Sequence, residues 1–580
     1  MSKVFSLETV VKKLKALWSD NRSYKDRLLS SGAVFLLFCY TFLFFGPFEM
    51  VAFGGNAMSY GWKDIWWILA LPALAVLIIG SLLLSLLRGK LFNYSLNILF
   101  CLTLCGYLQA AFMNGELGIL NGDAIDWFDK TGVMAANLLF WVGLTVVGSF
   151  LLYLNRKLWT RVVRFACLLL VVMQVASTFS IVLTSTGGSN ALDDYALSED
   201  GMYEYAQSDN IIIFVLDRMD FDYLEPILRE DPGFFDPLTG FTGFNNATSS
   251  YARTQPALNH MLTGSETAYF CPVKDFYKDS WTEDGKDLPA ALNVQGYSVE
   301  FYTKLTYLFS DLAYAQKNVA NVHPTSTVNG VAVLPKLLQL SAYRYCPIAL
   351  KPFFWADTNY YNENVLNPSI HTPYQFNDAG YAPGFRESTA DRTQGSFKLY
   401  HFDGSHSPYT MKADGTASEE STSVTEQTMG SFRNLYAAFD RMRELGIYED
   451  ATIIITADHG FAVSDQKPLQ KATRIGLFYK PAGNSQEPFA WSDAPVCTEN
   501  ISATVAKAAG LPDAGNYGLA LDEVTWENQP VRYYYKSIAT SGSANEKTIY
   551  EYSITGDAAN FDNWTIIGIT EDIPDENSFY

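Results

Sequence analysis

The chain has 580 residues, more than one simple hydrophobic core usually organises, so we expect two or more domains. Its formal net charge of −20 argues against a nucleic-acid partner, which would require a basic surface. Aromatic residues make up 15% of the chain although its mean hydropathy is close to zero, so a very apolar part is combined with a polar, acidic part.

The N-terminal third predicts a membrane domain. Residues 1–27 form a basic arm with no small-residue cleavage site, unlike a signal peptide. Each apolar stretch that follows reaches the roughly 20 residues needed to cross a bilayer. We predict a five-helix transmembrane domain over residues 28–184, with spans at about 28–53, 65–87, 92–112, 132–155 and 162–184.

The distribution of basic residues predicts the orientation of these spans. When the basic arm is placed in the cytoplasm, the basic loops at 88–90 and 156–164 also fall there, and the acidic loop at 114–130 falls outside. Five crossings leave all residues after about 185 outside the cell. We therefore expect a multi-pass protein of a bacterial-type plasma membrane with a cytoplasmic N-terminus and an extracytoplasmic C-terminal part.

The C-terminal part predicts an α/β domain. Residues 185–209 are rich in Gly and Ser and then acidic, which indicates a linker with some helix. Strand-like and helix-like runs alternate over 210–524, a pattern typical of a mainly parallel sheet covered by helices. Residues 525–580 show three strand-like runs without helices, which predicts a small antiparallel subdomain.

Two buried strands are predicted to end in residues that bind ligands. The apolar run Asn210–Leu216 is followed by Asp217, and the run 451–456 is followed by Asp458 and His459. Carboxyl ends of parallel strands meet at one edge of a sheet, where open α/β folds bind ligands. For each strand taken alone, a core strand followed by a solvated turn is the alternative.

Thr254 lies in a third segment of interest. Pro256 fits the first turn of a helix, which places Thr254 at or just before a helix N-terminus, where backbone N–H groups favour an anion. The Thr254 hydroxyl is then either a helix N-cap or a nucleophile activated by a metal ion.

Histidines supply the fourth part of the pattern. The chain has six histidines; His401 ends a predicted strand and His406 follows in a Gly-Ser turn. We assign His260, inside the predicted helix after Thr254, to packing. His323 and His371 have no sequence context that supports a role. Cysteine spacing predicts neither a zinc finger nor a disulfide framework, and one bridge among Cys271, Cys346 and Cys497 stays open.

The order of these motifs resembles the alkaline phosphatase/sulfatase superfamily, and within it the membrane-anchored branch of lipoteichoic acid synthases and phosphoethanolamine transferases. The resemblance rests on strand–Asp217, Thr254 nine residues before Thr263-Gly264, the turn at His406, and strand–Asp458-His459. It implies an outer catalytic domain and a divalent metal ion. By position, the implied metal ligands are Asp217, Thr254, Asp458 and His459, and the implied contacts to phosphoryl oxygens are His406 and His401.

Two departures from the sulfatase pattern narrow the expected chemistry. Sulfatases that use formylglycine have Cys or Ser at the nucleophile and Arg four residues later, and this chain has Thr254 and Leu258. Formylglycine cannot form from threonine, so ordinary sulfate-ester hydrolysis is disfavoured. Arg218 replaces a second Asp after the first strand, which weakens a calcium site. Mixed oxygen and nitrogen ligation is typical of zinc or manganese.

We therefore expect an enzyme that moves a phosphoglycerol or phosphoethanolamine type of group from a membrane lipid donor to an envelope glycan, lipid or polymer acceptor through phospho-threonine. One alternative is a sulfatase-like hydrolase of phosphate or sulfate esters on envelope glycans. A second alternative is a non-catalytic membrane protein that binds glycans or partners.

Overall fold

The fold is taken from a computed structural model, which describes residues 22–53, 58–118, 125, 127–184, 194–265, 269–281, 286–356, 358–461, 468–539 and 546–574. The chain divides into two compact units. The helical unit comprises Met1–Ala191 and Ser326–Ser369, and the sheet unit comprises Leu192–Thr325 and Ile370–Tyr580. Most of the predicted basic arm (1–21) and the first part of the predicted linker (185–193) lie outside the described residues.

Five long helices dominate the helical unit, and they agree with the five predicted spans to within a few residues. Each is long and apolar enough to cross a membrane by length and composition. Many large apolar side chains on them are exposed, Leu139 and Leu183 among them, a surface that lipid rather than water would cover. These helices are Tyr24–Phe53, Trp62–Leu86, Gly89–Met113, Thr131–Leu154 and Arg156–Thr184.

Residues 326–369 interrupt the sheet unit and belong to the helical unit. They contain the helix Gly330–Tyr345, the 3₁₀ helix Ile348–Phe353 and the short helix Thr358–Asn362. Arg344 forms an ion pair of 2.6 Å with Glu49. The Ile348 N–H donates a hydrogen bond of 2.9 Å to Asn137 Oδ1. One continuous domain over 210–524 is predicted from the sequence, and the structure differs because these contacts join residues 326–369 to the apolar helices.

Sixteen strands are present among the described residues. In chain order they are β1 (Tyr195–Leu197), β2 (Glu204–Ala206), β3 (Asn210–Leu216), β4 (Thr242–Phe244), β5 (Tyr297–Tyr302), β6 (Val322–Pro324), β7 (Ser326–Val328), β8 (Leu366–Pro368), β9 (Thr389–Arg392), β10 (Gly395–Phe402), β11 (Thr452–Thr456), β12 (Leu477–Lys480), β13 (Ala490–Ser492), β14 (Arg532–Ala539), β15 (Glu546–Ile554) and β16 (Trp564–Pro574). The pair β7 and β8 lies in the helical unit.

A seven-stranded sheet forms the centre of the sheet unit, in the order β13-β4-β12-β11-β3-β10-β5. Strands β5, β10, β3 and β11 are mutually parallel, and β12 pairs antiparallel on each side. All seven residues of β3 are buried, as expected for a central strand with helices on both faces. The predicted mainly parallel α/β domain is confirmed.

The helices of the sheet unit pack with this sheet in two groups. The Val424–Glu444 helix contacts both Phe221–Glu230 and Asp378–Arg386, and the Thr254–Thr263 helix contacts Leu305–Leu308 and Asn500–Ala508. Val424–Glu444 begins at a capping box in which the Ser423 and Glu426 side chains satisfy each other's backbone N–H groups. The remaining helices are Val273–Ser280, Leu288–Val294, Leu312–Asn318, and the 3₁₀ helices Ala514–Tyr517 and Phe561–Asn563.

Smaller sheets complete the sheet unit. Strands β14, β15 and β16 form the antiparallel C-terminal sheet that the sequence predicted. Residues 194–209 were assigned to a linker, but they contain β1 and β2, which pair with β6 and β9. Strands of only three residues carry too short a pattern to be predicted from sequence.

Candidate active site

Three neighbouring parallel strands end at one edge of the seven-stranded sheet. The register pairs Val215 of β3 with His401 of β10 on one side and with Thr456 of β11 on the other. Asp217 and Asp458 therefore follow their strands at the same level. This arrangement brings side chains that are more than 200 positions apart in sequence to one place.

Asp458 is fully buried and its two oxygens have different surroundings. Oδ1 accepts hydrogen bonds from the backbone N–H groups of Arg218 at 2.9 Å and His459 at 2.8 Å. Oδ2 lies 3.5 Å from His459 Nε2. Arg218 has a positive φ of 59°. The backbone thus holds one oxygen of Asp458 and leaves the other facing the site.

Thr254 is the first residue of the helix Thr254–Thr263, and the N-cap position is occupied by Arg253. No side chain caps this helix end, so the alternative interpretation of Thr254 as an N-cap is wrong. The Thr254 hydroxyl lies 3.5 Å from His459 Nε2. The hydroxyl is therefore at a helix N-terminus, as predicted, and faces the group formed by the two strand ends.

Asp217, Asp458 and His459 each offer one ligand atom, and these atoms lie within 4.8 Å of one another. Asp217 Oδ1 and Asp458 Oδ2 are buried and accept no hydrogen bond from any residue that the structure describes. A buried carboxylate oxygen without a donor is costly, and a cation removes that cost. The set of two carboxylates, one imidazole and the adjacent Thr254 hydroxyl fits a divalent metal ion.

His401 differs from its expected role as a contact to phosphoryl oxygens. Its side chain has no exposed surface, and its Nε2 lies 3.5 Å from Asp217 Oδ2. Its Nδ1 is 3.0 Å from the Thr303 hydroxyl. Burial lowers the pKa of His401, but the carboxylates of Asp217, Asp458 and Asp378 together outweigh burial and the net shift is upward. A fully enclosed ring positions Asp217 and does not reach a substrate directly.

His406 lies in the turn that follows β10 and is exposed. The turn is held against β3, since the Ser405 N–H donates to the Asp217 carbonyl at 2.9 Å. Asp378 holds it from the other side, because its two oxygens accept from the N–H groups of Asp403 and Gly404, both at 2.9 Å. Asp378 is not predicted from the sequence, because its position 25 residues before the turn carries no motif. His406 is thus presented to solvent beside Asp217 by a fixed backbone.

One family matches the sequence over most of the sheet unit. The Sulfatase family model covers residues 210–511, just over half of the chain. The chain belongs to the sulfatase family. The match spans all of the predicted site residues, from Asp217 to His459, and the central sheet that carries them. This part of the chain therefore has a hydrolase or transferase fold of the alkaline phosphatase/sulfatase superfamily.

Solved structures similar to this chain share little sequence with it. They include a phosphonate monoester hydrolase from Silicibacter pomeroyi (13% identity, TM-score 0.36, covering 63% of this chain and 89% of that chain). They also include a putative sulfatase from Bacteroides fragilis (12% identity, TM-score 0.35, covering 63% of this chain and 89% of that chain). A third is an alkaline phosphatase superfamily protein from Vibrio parahaemolyticus (12% identity, TM-score 0.36, covering 66% of this chain and 87% of that chain). No curated protein matches the sequence significantly.

Arg218 and Asp220 both make contacts with Phe461 beside the site. The Arg218 guanidinium stacks on the Phe461 ring, 4.3 Å from its centroid. Asp220 is the N-cap of the helix Phe221–Glu230 and also accepts a 2.7 Å hydrogen bond from the Phe461 N–H. Burial raises the pKa of Asp220 to about 6. Neither residue adds a ligand to the Asp217, Asp458 and His459 group.

The C-terminal antiparallel sheet supports the segment before Thr254. The Tyr535 N–H of β14 donates to the Ser250 carbonyl at 2.8 Å, and the Ala252 N–H donates to the Tyr535 carbonyl at 3.3 Å. The sequence predicted this sheet but not its contact with the segment that leads to Thr254. The C-terminal sheet therefore helps to position the N-terminus of the helix Thr254–Thr263.

Stability is expected to depend on pH through Asp378. Burial raises the pKa of Asp378 to about 7, above its value in the unfolded chain. The folded protein therefore binds this proton more tightly, and the free energy of unfolding falls as pH rises from about 4 to about 7. We expect Asp378 to lower the free energy of unfolding by about 2 kcal/mol over this pH range. This is less than the full pKa shift implies, because solvent reaches part of the residue.

Thermal unfolding of the whole protein in detergent at about pH 5 and about pH 8 measures the effect. The Asn side chain of Asp378→Asn cannot titrate. The difference in thermal stability between wild type and this variant therefore reports the titration of the Asp378 carboxyl group alone. If that difference were the same at both pH values, the assignment to Asp378 would be wrong.

Proposed function

We propose that this protein is a membrane-anchored, metal-dependent phosphotransferase that moves a phospho-head group from a lipid donor to an envelope acceptor. The observation that carries the proposal is the position of the Thr254 hydroxyl, free of any capping role and 3.5 Å from His459 Nε2 in the group with Asp217 and Asp458. A hydroxyl so placed suits nucleophilic attack on a phosphodiester.

Asp217, Thr254, Asp458 and His459 would hold the metal ion, with zinc or manganese favoured by the donor set. When bound, such a cation lowers the pKa of a hydroxyl and stabilises negative charge on phosphoryl oxygens. His401 orients Asp217 through the 3.5 Å contact, and the Arg218 and His459 N–H groups orient Asp458.

The reaction divides into two displacements. Thr254 Oγ1 gives up its proton and forms a bond to the donor phosphorus, while the bond from phosphorus to the diacylglycerol oxygen breaks and that oxygen takes a proton. An acceptor hydroxyl then attacks the phospho-threonine, and Thr254 recovers its proton as the new ester leaves. His406, exposed beside Asp217, would donate a hydrogen bond to the phosphoryl oxygens in both steps.

A lipid donor is supported by the five apolar helices on the same chain. Phosphatidylglycerol or phosphatidylethanolamine would supply the group, and an envelope glycan, lipid or polymer would accept it. The basic loops favour a cytoplasmic N-terminus in a bacterial-type plasma membrane and an extracytoplasmic catalytic domain. Threonine at the nucleophile position further favours phosphoryl transfer over sulfatase chemistry that depends on formylglycine.

Mass spectrometry of the Thr254 peptide tests the proposal. The full-length protein is incubated separately with vesicles of phosphatidylglycerol and of phosphatidylethanolamine in the presence of Zn²⁺ or Mn²⁺. We expect the mass of a phosphoglycerol or phosphoethanolamine group on Thr254, and none in the Thr254→Ala variant. An adduct that water discharges without an acceptor would favour the hydrolase alternative. Absence of both adduct and product with every donor would favour the non-catalytic one.

A further inference from the structure

A second cluster of metal-ligand side chains lies in the sheet unit, away from the strand ends that carry Asp217 and Asp458. Asp200, His323 and His371 each offer one ligand atom, and these atoms lie within 4.8 Å of one another. The His323 Nε2 is 3.2 Å from Asp200 Oδ2, and His371 Nδ1 forms a hydrogen bond with the same oxygen. None of the three residues belongs to a motif that the sequence analysis used.

From this cluster we propose a second metal site in which Asp200, His323 and His371 bind Zn²⁺. Zinc bond lengths of about 2.0–2.2 Å in a tetrahedron place neighbouring ligand atoms about 3.3 Å apart, close to the spacing of His323 Nε2 and Asp200 Oδ2. A fourth position stays open to water, as two imidazoles and one carboxylate make three ligands.

The two imidazole rings also support this site. They stack with centroids 3.7 Å apart and planes only 7° from parallel. Two imidazolium cations at that distance would repel, so the pair favours neutral rings, the form that binds metal. The rings must splay for both nitrogens to point at one ion. Their side chains are 26% and 31% exposed, which leaves room for that movement and access for the ion.

Backbone contacts hold the cluster together. His323 lies in β6, where it pairs with Ala196 of β1, and Asp200 follows β1 by three residues. The Glu199 N–H donates to the Thr372 carbonyl at 2.8 Å, which joins the third segment to the first. The Tyr302 hydroxyl donates to the Asp200 carbonyl at 3.1 Å. Three segments distant in sequence thus present their ligands from an ordered backbone.

The position of the three ligands in the chain suggests what the metal does. The sheet unit begins at Leu192, is interrupted after Thr325 and resumes at Ile370. Asp200, His323 and His371 lie within nine residues of these three points. A zinc ion bound to them would crosslink three segments of the sheet unit, each next to a point where the chain begins or leaves that unit. The site shares no ligand with the metal that Thr254 requires.

Counting bound metal tests the proposal. The full-length protein in detergent is stripped with chelator, loaded with Zn²⁺, desalted and measured by elemental mass spectrometry. We expect two equivalents in wild type, one in His323→Asn/His371→Asn and one in Asp458→Asn, which removes a ligand of the other site. Asp391→Asn is the matched control, because Asp391 lines the same cavity as Asp200 but is not a ligand, and it should retain two.

A thermal measurement supplies a second readout. Zn²⁺ should raise Tm in the Asp458→Asn background and should not do so when His323→Asn/His371→Asn is added. One equivalent in wild type that Asp458→Asn removes, or two equivalents in the histidine variant, would overturn the second site. If the double histidine variant lost all metal, bound Zn²⁺ would be counted in Asp200→Asn instead. We expect one tightly bound equivalent in that variant, and two equivalents would contradict the proposal. One equivalent in wild type that the histidine variant removes and Asp458→Asn does not would instead count against the proposed catalytic site.

Discussion

Thr254→Ala is expected to reduce turnover of a lipid donor by roughly 10³-fold or more, because the variant has no hydroxyl to attack phosphorus. The fold should survive. Thr254 caps no helix, and the helix that it begins is held by buried residues from Pro256 to Thr263. Release of the lipid product, measured with saturating phosphatidylglycerol or phosphatidylethanolamine, checks the rate, and thermal unfolding checks the fold.

Thr254→Ser is the matched control for this prediction. Serine keeps the hydroxyl and loses only a methyl group, so the variant should retain clearly more activity than alanine and should still carry the phosphoryl adduct. If alanine and serine were equally impaired, the methyl group and not the hydroxyl would matter at this position. Full activity in Thr254→Ala would show that Thr254 is not the nucleophile. A water molecule activated at the same group of ligands would then be the nucleophile to test.

Much of the site could be predicted because it lies at strand ends. Apolar runs such as Asn210–Leu216 are buried whatever surrounds them, and a parallel sheet brings the residues after them to one edge. The positions of Asp217, Asp458 and His459 therefore follow from local patterns and one topological rule. Thr254 follows from the position of Pro256 in the first turn of a helix.

Other features depend on contacts that no local pattern records. The burial of His401 arises from residues such as Thr303 and Phe376, which pack around its ring. Asp378 binds the His406 turn through backbone N–H groups, which any sequence supplies. His323 and Asp200 meet only because β1 pairs with β6. The helix Gly330–Tyr345 has 16 residues, short for a span, so its place in the helical unit had no sequence signal.

Gly404→Ala is expected to disable the site by displacing the turn that carries His406. Gly404 has φ of +56°, and an added Cβ would lie 2.5 Å from the Leu216 carbonyl carbon and 2.6 Å from the Asp217 nitrogen. Backbone atoms cannot rotate away as a side chain can, so the turn and the end of β3 must separate. A displacement of about 1 Å at catalytic groups costs roughly 10²-fold in rate, which we expect as the minimum loss.

Gly446→Ala separates this clash from the cost of a positive φ. Gly446 follows the helix Val424–Glu444 with φ of +74°, and apart from its two chain neighbours no residue of the described chain has a heavy atom within 4 Å of its added Cβ. This variant should lose only about 1 kcal/mol of stability, the cost of a left-handed conformation, and should keep its activity. Gly404→Ala should lose several times more, because steric overlap adds to the same conformational cost. Equal losses of stability and activity in the two variants would show that the turn yields without moving Asp217 or His406.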